Sequence, residues 1–335
     1  MRQGNRTVTQ PLDCRLMARP FAGVEGDVRA PMTTSASARA SAPMVAWLTD
    51  AGLERDRIGG KAASLNRLAA SGFRIPPGFC LTTDAFAIQA LGLPGGDVVL
   101  AHPEKLLDPV HRTRLVEAMI AGPLAPAVAS ALGRPLERLV GLRLDGDDGA
   151  PLLAVRSSSV AEDGTTASFA GLHDTELGLT ADEVPPAILR CWASLWSERA
   201  VRYRARRGHA LGGDAMAVVI QALVPARAAA IVFTRHPVTG RVDQLLINAA
   251  PGLGEAMVSG TVTPDTIVVD KASRLVVDLT PGDSGDGPVL ADAVRDDLVG
   301  LSLDVERAFG APVDIEAAHA ADGWYLLQAR PITTA

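Results

Sequence analysis

Two short polar pairs near the C-terminus restrict the fold of this chain more than any other feature. Asp314 and Glu316 are two residues apart in VDIEAAHA, and Gln328 and Arg330 are two apart in YLLQARPIT. Side chains alternate across a strand, so each pair projects from one face. Both pairs are symmetric about Asp322. A hairpin with the three-residue loop Ala321-Asp322-Gly323, glycine taking the left-handed position, sets Glu316 opposite Gln328 and Asp314 opposite Arg330. Glu316 and Gln328 then offer oxygen ligands of the kind Mg²⁺ takes, and Arg330 can balance Asp314 or reach a terminal phosphate. Ile315, Leu327 and Ala329 alternate onto the other face. The same pattern suits a solvated strand face with a cross-strand ion pair, and spacing alone does not choose between solvent and cleft.

The stretch leading into this hairpin is strand-like. Apolar runs at Met216 to Val224, Ala228 to Thr234, Gln244 to Ala249, Thr266 to Asp270 and Leu275 to Leu279 are separated by turn residues. A helix from about Ala291 to Phe309 carries Leu298, Leu301 and Val305 at helical spacing and stops at Gly310. Upstream, Ile58-Gly59-Gly60-Lys61 opens a helix with Leu65 and Leu68 on one face, ending at Gly72. After the Pro76-Pro77-Gly78 turn comes a strand, Phe79 to Thr83, with Asp84 as N-cap of the next helix. Residues from about His111 to Leu144 read as helical with proline interruptions, and Leu152 to Arg156 as a buried strand. A polar loop, Ser157 to Gly171, precedes one long helix from about Glu183 to Gly208, whose Trp192 and Trp196 share a core-facing side.

These elements predict two subdomains, residues 44–212 and 213–335, divided near Gly212-Gly213. Residues 1–43 are rich in Ser, Ala, Arg, Thr and Pro without periodicity, the composition of a disordered leader or an overlong gene start, with Met32 or Met44 as the true beginning. A chain of 335 residues, 47% hydrophobic, has ample sequence for large cores. Its net charge of -6 excludes a general nucleic-acid or anionic-membrane binder, although not one local phosphate site. Gln221 and Pro225 interrupt the most hydrophobic stretch, so no run suffices to cross a bilayer, and a cytoplasmic protein is expected. Cys14, Cys80 and Cys191 have neither zinc nor disulfide spacing and read as buried small hydrophobes.

Two further segments have the chemistry of phosphate binding. Gly59-Gly60-Lys61 sits at a helix start, where backbone N–H groups favour anions and lysine adds a compact charge, although it lacks the wider glycine spacing of a Walker A loop. Lys61 is one of only three lysines, with Lys105 and Lys271. In AVRSSSVAEDGTTASFAGLHDT, Arg156 ends a strand, and Ser157, Ser158, Ser159, Thr165, Thr166 and Ser168 supply hydroxyls beside Gly164 and Gly171. Gly252-Leu253-Gly254-Glu255 is a weaker candidate for a phosphate-adjacent turn. His173 and His236 have no partner spacing typical of a metal site or triad and read as structural.

In this order, the residues resemble the ATP-grasp domain shared by phosphoenolpyruvate synthase, pyruvate phosphate dikinase and rifamycin phosphotransferase. The resemblance spans about Val45 to Thr333 and rests on IGGKAASLNRLAASGFRIPPGF, AVRSSSVAEDGTTASFAG, RCWASLWSERAVRYR, IVFTRHPVTG, INAAPGLGEAMVSGTVTPDT and the closing DIE with LLQARPIT. It implies an α+β ATP-grasp fold with the nucleotide in the cleft between two subdomains. It further implies that Lys61, Arg156 and Arg330 hold the phosphates of ATP and that Gly171 and Thr175 line the phosphate loop. Gln221 and Val224 would flank the adenine, Glu316 and Gln328 would bind Mg²⁺, and Asp314 would support them. The implied reaction transfers the β-phosphoryl of ATP to a histidine on a mobile domain, releasing AMP. Relatives continue into that domain after the ARPIT motif, so a separate phosphohistidine-domain partner is expected here. His319, within the hairpin, lacks the freedom to replace it. A self-sufficient small-molecule kinase or ligase and a non-catalytic ATP-binding regulatory module are the alternative readings.

Overall fold

The computed structural model describes residues 43–142, 150–160, 175–206, 215–283 and 287–332. Five strands, β1 (Val45–Trp47), β2 (Gly78–Leu81), β3 (Leu153–Ser159), β4 (Thr175–Leu179) and β5 (Met216–Ala222), form one sheet in the order β1-β2-β5-β3-β4. Six more, β6 (Ala228–Phe233), β7 (Gln244–Pro251), β8 (Asp265–Asp270), β9 (Val276–Thr280), β10 (Val313–Ala320) and β11 (Gly323–Pro331), form a second in the order β11-β10-β6-β7-β8-β9. Neighbouring strands are antiparallel in both. The helices are α1 (Arg55–Ala70), α2 (Thr83–Leu91), α3 (Gly96–Ala101), α4 (Pro109–Ala121), α5 (Pro126–Val140), α6 (Val184–Ser194), α7 (Glu198–Arg206), α8 (Glu255–Val258) and α9 (Asp292–Phe309).

Strand β5 shows how alternation builds the first layer. Met216, Val218 and Ile220 enter the larger core with Phe86 of α2, Met119 of α4 and Trp192 of α6, whereas Ala217 and Val219 pack under α1 with Ile58 and Leu65. Both faces are covered, which is why MAVVIQA reads as a nearly unbroken apolar run. Trp192 is fully buried, donates its indole N–H to the Met216 carbonyl at 3.0 Å and meets the Phe86 ring edge-on. Truncation of such a residue to alanine costs about 3–5 kcal/mol. The second sheet packs Val232, Ile247, Ile267 and Ile315 against Leu298 and Val305 of α9.

Three local expectations need correction. Strand β5 lies beyond Gly212-Gly213 in sequence but pairs with β2 and β3, so the sheets divide between Ala222 and Ala228 instead. The sequence turns from helix-like to strand-like near Gly212-Gly213, whereas sheet membership is set by pairing with residues far away in the chain. The helix expected from Glu183 to Gly208 breaks after Ser194, and the Ser197 hydroxyl accepts the Ala200 N–H at 3.2 Å to start α7. Asp84 does not cap α2; its carboxylate is held by Arg57 at 3.0 and 3.2 Å.

Among the described residues no single helix is long and apolar enough to cross a membrane. The bent pair α4 and α5 passes only when combined, and it places Leu115, Met119, Val128 and Leu132 in the core.

Candidate functional site

The polar face of the C-terminal hairpin turns towards the first sheet, and a cavity of ≈ 360 Å³ lies between the two. That volume is within the ~300–1,000 Å³ range of small-ligand pockets. Glu316 stands opposite Gln328 and Asp314 opposite Arg330, the partners that the spacing required. The loop, however, has two residues rather than three, because Ala320 pairs with Gly323, whose φ is 116°. Ala317 faces Leu326 while Glu316 faces Gln328, so Leu327 is the extra residue of a β-bulge. The shorter loop and the bulge cancel, which restores the expected pairs. Leu327 was expected on the face opposite Gln328; the bulge instead brings it to the cavity wall.

Arg156 spans the cavity from the other side. It alternates with Val155, which is in the core, so its guanidinium leaves β3 towards the second sheet. One arm donates to the Leu327 carbonyl at 2.8 Å; the other lies 3.2 Å from Glu316 Oε2 and 3.4 Å from Gln328 Oε1. The bulge thus exposes the carbonyl that fixes the arginine. Arg330 also lines the cavity, with its Nε 2.9 Å and Nη2 2.8 Å from Asp314 Oδ2. Thr175, at the start of β4, pairs with Arg156 in register and contributes to the wall.

Lys61 reaches the cavity from α1 through a break in that helix. Gly59 has φ 73° and ψ 177°, a conformation other residues avoid, and a Cβ there would fall on the backbone of Ser158. The Ser158 hydroxyl donates to the Ile58 carbonyl at 2.8 Å and accepts the Ala62 N–H at 3.1 Å. Ser157, Ser158 and Ser159 are all buried. The expectation that these hydroxyls face a polyphosphate is therefore corrected for Ser158, which caps a helix instead. Gly164, Thr165, Thr166, Ser168, Gly171 and His173 lie outside the described residues.

At the other end of the cavity the chain passes from one sheet to the next. Gln221 is buried and donates its amide to the Pro76 carbonyl at 3.3 Å, and Gly78, its register partner, has no space for a Cβ against it. Val224 packs with Ala318, Ala320 and Tyr325. Both line the cavity. So do Gly254, Glu255 and Met257 in and before the short helix α8, the segment that the sequence marked only as a lesser candidate. A lone GLGE has little specificity without knowledge that β7 delivers it to the cleft.

Neither described histidine of interest faces the cavity. His236 Nδ1 accepts the Val238 and Thr239 N–H groups at 3.2 Å each, a turn-stabilising role. His319 lies against Trp324, 4.9 Å between ring centroids. Burial first, and then the nearby Arg227 charge, hold its pKa below the usual imidazole value. Among the described residues no group of three or more His, Cys, Asp and Glu side chains forms a metal cage. One carboxylate beside one amide oxygen nevertheless fits Mg²⁺, which keeps waters and takes substrate phosphates as its remaining ligands.

The cavity gathers Lys61, Arg156 and Arg330 around paired oxygen donors, and comparison with known proteins supplies the class of the chain. Residues 55–285 match the family described as pyruvate phosphate dikinase, AMP/ATP-binding domain, and the chain belongs to that family. It is 38% identical over 308 residues to the prodigiosin synthesizing transferase PigC of Serratia marcescens, covering 85% of this chain and 32% of that protein. Identity to a probable phosphoenolpyruvate synthase of Methanocaldococcus jannaschii is 34% over 331 residues, covering 88% and 27%. To a rifampicin phosphotransferase of a Streptomyces species it is 38% over 304 residues, covering 83% and 34%. The chain spans about a third of the length of these relatives. Among solved structures, PH1788 from Pyrococcus horikoshii gives a loose likeness, with 13% identity and a TM-score of 0.34 over 82% of this chain and 91% of that one. Family membership, together with two antiparallel sheets facing each other across a cleft, bears out the α+β ATP-grasp class and the resemblance read from the motifs.

Proposed function

We propose that the cavity binds Mg²⁺-ATP and that the domain transfers the β-phosphoryl group of ATP to a histidine on another domain, releasing AMP. The observation that carries this reading is the reach of Arg156 from the first sheet to Glu316, Gln328 and the Leu327 carbonyl of the second. It puts a planar cation beside paired oxygen donors, with Lys61 and Arg330 on the same wall system.

Three cations suit a polyphosphate, and their geometry is set by strands and a helix rather than by mobile loops. Adenine would occupy the end lined by Gln221 and Val224, with Thr175 and Gly171 near the phosphates. Glu316 and Gln328 would hold Mg²⁺, with Asp314 orienting Arg330; the metal supplies neutralisation of phosphate charge when bound. In the transfer, a histidine nitrogen bonds to the β-phosphorus as the bond to the α–β bridging oxygen breaks; AMP leaves with that oxygen, and the histidine carries the β- and γ-phosphates together. Water then cleaves the β–γ link, releasing the γ-phosphate as inorganic phosphate and leaving the β-phosphoryl group on the histidine. Lys61, Arg156 and Arg330 orient the phosphates for in-line attack and offset the charge on the leaving group.

The test is chromatography of the nucleotides formed from Mg²⁺-ATP with a phosphohistidine domain supplied, using Lys61→Ala and Glu316→Ala as controls. AMP that depends on that domain and is lost in both variants is expected. ADP formed without it would overturn the reading in favour of a direct small-molecule kinase or ligase. Tight ATP binding with neither product would favour a regulatory module.

A further inference from the structure

Ser158 does not line the cavity, yet it sits where two of the proposed phosphate ligands meet the scaffold. We propose that Ser158 is a positioning residue whose buried hydroxyl pins the break in α1 to β3 and so fixes Lys61 relative to Arg156. This rests on the reading of Lys61 and Arg156 as phosphate ligands.

The geometry is specific. The helical conformation of α1 is interrupted at Gly59 and resumes with Gly60, so the segment bearing Lys61 has its own N-terminus. The Ser158 hydroxyl bonds both sides of the interruption, donating to Ile58 and accepting from Ala62, the residue after Lys61. It thus caps the second helical segment from a different strand, satisfying one of the N–H groups that a helix start leaves unpaired. Contact at Gly59 is too close to admit a Cβ, so helix and strand touch backbone to backbone. Arg156 is two residues earlier on that strand. A slip or rotation of the helix along β3 would carry Lys61 away from Arg156, and the hydroxyl is bonded to resist it. Ser157 provides an internal control: it is equally buried, belongs to the opposite face of β3, and its hydroxyl oxygen has no hydrogen-bond partner among the described residues.

The experiment compares Mg²⁺-ATP with adenosine by calorimetric titration, together with melting temperature, for wild type, Ser158→Ala, Ser157→Ala, Lys61→Ala and the Ser158→Ala/Lys61→Ala pair. Ser158→Ala is expected to weaken Mg²⁺-ATP about tenfold, a loss of about 1.4 kcal/mol, while adenosine affinity changes by less than about twofold. Its effect should largely disappear in the Lys61→Ala background, Ser158→Thr should restore most of the ATP affinity, and Ser157→Ala should alter neither ligand. If Ser158→Ala does not fold, Ser158→Cys, a poor acceptor in place of a good one, carries the same expectation of selective ATP loss. A lowered melting temperature with an unchanged ATP-to-adenosine ratio, in a protein where Lys61→Ala does reduce that ratio, would overturn the positioning role alone. An unchanged ratio in Lys61→Ala would overturn the cavity reading, and this proposal with it.

Discussion

Arg156 holds its place because a guanidinium can serve three acceptors at once, and β3 delivers it opposite a carbonyl that only a bulged strand exposes. His319 illustrates the opposite case, a titratable group whose position removes it from the chemistry. Its folded pKa lies below 6.5 because of burial and Arg227, partly countered by Asp297 and Asp322. The unfolded chain therefore takes up this proton first as pH falls. Stability is unaffected well above 6.5 and declines as pH drops through it towards the folded value. Melting temperature should fall between about pH 7.5 and 5.5, and fall less in His319→Gln. Parallel declines in the two proteins would contradict this. Asp322, whose pKa is lowered by its Tyr325 and Arg74 hydrogen bonds against the opposing effect of burial, titrates in a lower window. At this scale spacing and strand context put Glu316 opposite Gln328 and Arg156 on a buried strand, the placement the structure has. The sequence misjudged Ser158, because a hydroxyl under a helix and one facing a ligand have the same local sequence.

The hairpin shows what an element can and cannot disclose in advance. Polar pairs symmetric about Asp322 fixed which residues face each other, but two loop-and-bulge combinations give the same partners, and the chain uses the one with Leu327 unpaired. Deleting Leu327 would therefore leave Gln328 opposite Glu316 on the cavity face. We expect the deletion variant to fold with a loss of about 1–3 kcal/mol, from the Arg156 hydrogen bond and the Leu327 packing, and to bind Mg²⁺-ATP more weakly. Denaturant melts and titration check this; unaltered ATP affinity would mean that the bulge does not set the position of Arg156. The strands of the second sheet were legible almost to the residue, since each is an apolar run bounded by turns. Strand β4 was not, because TELGL is short and largely unburied, with little of the β-branched pattern that marks a strand. The allegiance of β5 to the first sheet was equally hidden, since nothing in MAVVIQA distinguishes the sheet it joins.

Across the whole molecule, α1 ties the two sheets together and defines the cleft. It covers one face of the first sheet through Leu65 and sends Leu68 into the second core. Arg67 donates to the Ala308 carbonyl at 3.1 Å and lies 3.9 Å from the Phe309 ring centroid, while Arg74, just beyond the helix, pairs with Asp322 and stacks on Tyr325. In a chain with a net charge of -6, Lys61, Arg156 and Arg330 nevertheless gather on the cavity where the sheets meet. A ligand spanning those residues and the oxygen donors would stabilise the folded state by about 2.7 kcal/mol at a hundredfold excess over its Kd. The most direct measurement is calorimetric titration of ATP with and without Mg²⁺ for wild type, Glu316→Ala and Gln328→Ala. The account predicts that Mg²⁺ strengthens ATP binding in wild type by about tenfold or more and that most of this gain is lost in both variants. An undiminished Mg²⁺ gain in either variant would place the metal elsewhere and contradict the site as described.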